Sequence, residues 1–165
     1  ITFNLRLNQI KWITLQGFFL FSLNYYFIYL GTNFVKTGLV AVIFSTVSIF
    51  VLINGIIFFK EKINSNVLLG ALIGICGLIL IFNKELQLYA FNNELIIGII
   101  LCLIGTYFAS IGMLISQRNH KNNIPLVQNN TLSMFIGATF VLVIANSTGN
   151  KIIFDFKTFI YQSIL

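Results

Sequence analysis

Hydrophobic positions in this chain gather into long runs separated by short polar breaks, and the lengths of those runs limit the fold. Gly38 to Phe59 is 22 residues without a charge, which as a helix rising about 1.5 Å per residue crosses the roughly 30 Å hydrocarbon core of a bilayer. Val67 to Phe82, 16 residues, follows the turn Lys60-Glu61-Lys62-Ile63-Asn64-Ser65-Asn66. It spans the same depth if Ile63 and its polar neighbours add a first turn at headgroup level. Trp12 to Gly31, Leu95 to Ser116 and Pro125 to about Ala145 are further runs of spanning length, and Thr158 to Leu165 begins another. None alternates with the period of two expected of a barrel strand. The pattern therefore predicts an all-α fold, a polytopic transmembrane helical bundle of five full spans plus the start of a sixth. The polar breaks are Asn83 to Asn93, Gln117 to Ile124 and Asn146 to Lys157, and Pro125 suits the first turn of the fifth helix.

Between helices already in lipid, close backbone approach replaces the hydrophobic effect as the source of attraction, so small residues mark contact faces. In the second run Gly38, Ala41, Ser45, Ser48 and Gly55 share about a third of the circumference, and in the third Gly70, Gly74 and Gly77 do the same. The fourth run carries Gly98, Cys102, Gly105, Ala109, Gly112 and Ser116 at alternating steps of four and three, the spacing of a left-handed packing seam. In the first, Gly17, Asn24 and Gly31 align every seven residues. These stripes predict helix packing rather than ligand contacts.

One stretch resembles a known family. The residues that carry it are Thr37 to Ser45 (TGLVAVIFS), Phe58 to Asn64 (FFKEKIN) and Leu69 to Gly77 (LGALIGICG). They are similar to the EamA-type transporters of the drug/metabolite transporter superfamily: a small-residue helix, an acid at its cytoplasmic end, here Glu61, and a glycine-rich helix. Ser48 stands about where many members have a mid-helix proline, which removes the residue that would bend the helix. The resemblance implies a carrier of ten helices in two inverted five-helix repeats. Residues 1–82 would then be the later part of the first repeat, 83–93 the inter-repeat loop, and 94–165 the opening of the second. A start at Ile1 and a stop inside an apolar segment fit a piece of a longer protein, with missing helices of the same polypeptide as partners.

Charge changes the picture less than its total suggests. With only 8% charged residues the chain lies far from a soluble domain, where about a quarter are charged. The net charge of +6 is spread over the loops, with no basic block to track nucleic acid. Arg6, Lys11, Lys60, Lys62, Arg118 and Lys121 fall on one side of five alternating spans, and Lys36, Lys84, Lys151 and Lys157 on the other. The larger group predicts the cytoplasmic side. The expected location is an integral membrane protein of the bacterial cytoplasmic membrane, with lipids, a small-molecule substrate and a second copy of the chain as the partners considered.

Catalytic and metal-binding patterns are missing from the sequence: His120 has no second ligand at useful spacing, and no nucleophile elbow or phosphate-cradling glycine loop occurs. No enzyme, metal or cofactor is therefore expected. The four acids, Glu61, Glu85, Glu94 and Asp155, lie at helix ends or in loops rather than in mid-membrane, where a proton relay would stand. Uncharged polar groups inside the spans remain. Asn24, Tyr25 and Tyr29 on the first helix and Thr106, Tyr107 and Ser110 on the fourth are the candidates for lining a substrate cavity, against the simpler role of interhelical hydrogen bonding. Asn54 is close enough to its helix end to reach headgroups. By resemblance the expected function is secondary transport, in the export direction, of small metabolites, amino acids or drugs by alternating access. The rivals are a structural or assembly subunit and an intramembrane lipid-modifying enzyme.

Overall fold

The computed structural model describes residues 7–60, 65–81, 83 and 93–147, and the regular elements among them are all helical. The first span consists of α1 (Leu7–Phe18), a π-helical turn (Phe19–Leu23) and α2 (Asn24–Thr32). The second consists of α3 (Thr37–Ser45) and α4 (Val47–Phe59). Then come α5 (Ser65–Ile81), α6 (Asn93–Lys121) and α7 (Leu126–Ser147). Four stretches, Leu7–Thr32, Thr37–Phe58, Asn93–Lys121 and Leu126–Ser147, are long and apolar enough to cross a membrane. At 17 residues, α5 reaches about 26 Å, slightly short of the hydrocarbon core. The chain is thus the expected all-α polytopic bundle; Glu61, positions 84–92 of the inter-repeat loop and the sixth-span stub lie outside the described residues.

The bundle is built around α6, which packs along the first span and α4 and also touches α3 and α7. The four-three stripe explains why. A methyl at Gly105 would stand 3.0 Å from the backbone oxygen of Asn24, and one at Gly112 would stand 2.8 Å from the backbone nitrogen of Leu20. Gly98 meets Phe34 and Val35, and Gly31 of α2 meets the Cys102 sulfur. A second seam joins the first span to α7, where a Cβ at Gly17 would lie 2.5 Å from the Ser133 oxygen and one at Gly137 would lie 2.8 Å from the Gly17 oxygen. The π-turn between the seams, in which the Asn24 N–H bonds to the Phe19 carbonyl, inserts an extra residue into the helical period. One span thereby serves two neighbours.

Two expectations about element limits are corrected, and one glycine stripe finds no neighbour among the described residues. The second run is not one helix: it is interrupted at Thr46, whose N–H bonds to the Ile43 carbonyl three residues back at 3.0 Å. The hydroxyls of Ser45 and Thr46 donate to the carbonyls of Val42 and Ile43, each at 2.6 Å. Such back-bonding bends helices, so an interruption forms without proline. As a result the stripe does not stay on one face: Gly38 and Gly55 are buried, Ser45 is half-buried, and Ala41 and Ser48 are exposed. The second difference is α5, which sits at the rim against α3 and α4. A Cβ at Gly70, Gly74 or Gly77 would meet nothing within 4 Å, so these glycines form no seam with the described residues. Third, α6 runs on to Lys121 through what the sequence suggested was a loop, because Gln117 to Lys121 contains no helix breaker. It ends where Asn123 takes φ 60° and the N–H of Ile124 returns to the Asn119 carbonyl at 3.2 Å. Arg118, His120 and Lys121 in that last turn suit the negative end of the helix dipole.

Candidate functional site

The two ends of the bundle differ in chemistry. At the end where α6 begins, Val35, Leu39, Val40, Ile43, Leu95 and Cys102 form an apolar core. At the other end the interior is amide. Gln16, Asn119, Asn129 and Ser133 are essentially without solvent exposure, and they bond head to tail across three helices. The Asn119 amide donates to the Gln16 and Asn129 carbonyl oxygens, both at 3.1 Å, and Gln16 donates to Asn130 at 3.3 Å. Asn129 donates to the Ser116 hydroxyl at 3.3 Å, and the Ser133 hydroxyl lies 2.7 Å from the backbone carbonyl of Asn129 in its own helix and 3.3 Å from that of Ile13 in the first span, either of which can take its proton. Interhelical bonds of this kind contribute about 0.6 to 2 kcal/mol each in a membrane. Here they lock the first span to α6 and α7. The Oδ1 of Asn119 has no partner among the described residues.

Beside the amides the helices part around Trp12 and Arg118. The Arg118 guanidinium carbon sits over the Trp12 ring, 3.7 Å from its centroid. On one side of this pair is a polar recess of about 490 Å³ lined by Asn8, Gln9, Asn122 and Ile124 as well. On the other is an apolar cavity of about 340 Å³ walled by Leu15, Phe19, Phe58, Ile111, Leu114 and Ile115. Three spans contribute: the first, α4 and α6.

The candidate residues read from the sequence do not converge on that cavity. Asn24, Thr106 and Ser110 are buried inside helix contacts. The Asn24 amide donates to the Leu20 carbonyl at 3.2 Å, while its Oδ1, like the Ser22 hydroxyl, has no partner among the described residues. Thr106 donates to the Cys102 carbonyl and Ser110 to the Tyr107 carbonyl, both at 2.7 Å. Ser110 also accepts from Asn54 at 2.9 Å, so Asn54 faces the interior and not the headgroups. Tyr25 and Tyr29 are exposed, and Tyr107 is 38% exposed with its ring edge-on to Phe50 at 5.7 Å. Reading the sequence missed Gln16, Arg118 and Asn119. A signal for Asn119 existed: continuing the alternation of four and three beyond Ser116 lands on it. No group of three or more histidine, cysteine or acidic residues placed to hold a metal occurs among the described residues.

A family model, that of the EamA-like transporter family, matches residues 1–83. The chain belongs to the EamA-like transporter family. No curated protein and no solved structure matches it. The matched part of this EamA-like chain runs from the first span through α5, and α6 and α7 lie beyond it. Both the cavity and the amide network therefore join the matched part to the helices that follow.

Proposed function

We propose that this EamA-like chain is part of a secondary transporter that exports small metabolites, amino acids or drugs across a bacterial cytoplasmic membrane by alternating access. Residues 1–82 close a first repeat and 94–165 open an inverted second one, and the end bearing Lys11, Arg118 and Lys121 faces the cytoplasm. The observation that carries the reading is the family match over residues 1–83 in a chain whose helices form a polytopic bundle. The cavity at Trp12 supports it. That space lies between spans of the two proposed repeats, where alternating access opens and closes a path.

The dry glycine seams favour a second reading, a structural subunit without transport, because none of the six candidate polar residues lines the cavity. Flux separates the two. The full-length protein in liposomes, offered a panel of metabolites, is expected to move at least one of them down its gradient and against an empty-liposome control. A folded protein that moves none under any imposed ion gradient would leave the structural reading in place.

A further inference from the structure

We propose that Arg118, held on Trp12, and the apolar cavity beside it form a binding site for a small monocarboxylate with an apolar body and no ammonium group. The proposal rests on the carrier reading for what the site is for.

The pair is arranged to leave the cation available. A guanidinium carries its five N–H donors in its own plane, and an aromatic face attracts the charge without supplying a lone pair in that plane. With the Arg118 guanidinium over the indole at 3.7 Å, its position is fixed while the forked edge is left to an oxygen acceptor. Such a fork matches a carboxylate in bidentate fashion. Glu94, the one acid among the described residues, stands in the first turn of α6, at the far end of the helix from Arg118. No described carboxylate therefore competes for the site.

The surroundings set the rest of the ligand. Trp12 and Arg118 border both spaces, so an anion coming through the polar recess meets the guanidinium first and places its body in the cavity beyond. Rings of Trp12 and Phe19 and the branched side chains of Leu15 and Ile111 wall that cavity, which favours an aromatic or branched hydrocarbon. At about 340 Å³ it lies at the small end of the roughly 300–1,000 Å³ typical of ligand pockets, enough for one small molecule. The described lining offers no carboxylate to pair an ammonium. A zwitterionic amino acid would hold its ammonium one carbon from the carboxylate, beside the like charge of Arg118 and with no described carboxylate to offset it, at a cost that a simple acid avoids.

The test is calorimetric titration of the full-length protein in neutral-lipid nanodiscs with 3-phenylpropionate, its amide, and phenylalanine. The acid is expected to bind tenfold or more tighter than the amide, in keeping with a hydrogen-bonded ion pair, and tighter than phenylalanine. Arg118→Gln should bring acid and amide to the same affinity. Arg118→Lys, which keeps the charge but not the fork, should restore part of the difference. Ile111→Phe, which fills the cavity and leaves Arg118 alone, should weaken acid and amide by a common factor. Equal binding of acid and amide by the wild type, a preference that survives Arg118→Gln, or phenylalanine binding as well as the acid would each overturn the proposal. So would displacement of the acid by phosphatidylglycerol added to the nanodiscs, which would make Arg118 a headgroup contact. Arg118-dependent binding without flux of any compound would sink the carrier reading and leave the site. Flux of other compounds with no binding of the acid would sink the site alone.

Discussion

Gly31→Ala and Gly112→Ala change the same atom count on two faces that touch, yet the structure predicts that only one of them can be rescued. A methyl on Gly31 collides with the sulfur of Cys102; its next neighbours are the Gly98 oxygen at 3.1 Å and the Cys102 nitrogen at 3.4 Å. Removing the sulfur with Cys102→Ala leaves one tight contact and one ordinary one. A methyl on Gly112 instead meets Leu20 at its Cβ, 2.6 Å, its nitrogen, 2.8 Å, and its Cα, 2.9 Å. Leu20→Ala keeps all three atoms. Overpacking costs typically about 1–3 kcal/mol, and Gly→Ala in a helix returns about 1 kcal/mol of propensity. Each single variant should therefore lose up to about 2 kcal/mol net. In a double-mutant cycle followed by thermal or detergent-induced unfolding, Gly31→Ala with Cys102→Ala should lose less than the sum of its parts, by about 1 kcal/mol. Gly112→Ala with Leu20→Ala should show no such rescue. Equal coupling in the two cycles, or none in the first, would refute the seam geometry.

Three further outcomes are expected. Asn54→Leu should leave the Ser110 hydroxyl with its local bond to Tyr107 only and cost about 0.6–1.7 kcal/mol of unfolding free energy, and a stability equal to wild type would mean that the 2.9 Å bond contributes nothing. Asn119→Ala should cost more than Asn54→Leu, because it strands both the Gln16 and Asn129 oxygens; the same unfolding assay decides the order. Cysteines placed singly at Asn93 and Asn122, in a chain lacking Cys76 and Cys102, should react with an impermeant thiol reagent from opposite sides of the membrane, and labelling from one side alone would contradict the topology.

Helical periodicity made the α6 seam legible because a packing rule in lipid needs only small residues at a fixed spacing, and Gly98, Gly105 and Gly112 obey it. The same rule could not say which stripes find a partner. Gly70, Gly74 and Gly77 are spaced as well as the α6 glycines, yet α5 lies at the rim, since a stripe encodes a face and not its neighbour. The Arg118 site is not legible in the sequence because charged residues after Ser116 read as a loop, whereas helix continuation turns Arg118 back over Trp12. Lipid is a poor solvent for the hydroxyls of Tyr25 and Tyr107, but that preference does not fix which way a ring points. The break at Thr46 is hidden for a different reason: serine and threonine bend a helix only if their hydroxyls turn inward, a choice of rotamer that sequence leaves open.

The first span rests on α6 and α7, helices made long after it. About 90 residues separate Thr32 from Lys121, and at a synthesis rate of roughly 5–20 residues per second the wait is on the order of 5–20 s. During that interval Gln16 and Asn24 have neither the amides nor the glycines that enclose them in the finished bundle. Lipid offers them nothing comparable. The newborn span must be sheltered, at the insertion machinery or near the headgroups, until its partners arrive. A chain ending after α5 would consequently be a poor substrate for assembly however well its own helices insert, and such a half should be cleared by membrane proteolysis faster than the intact polypeptide.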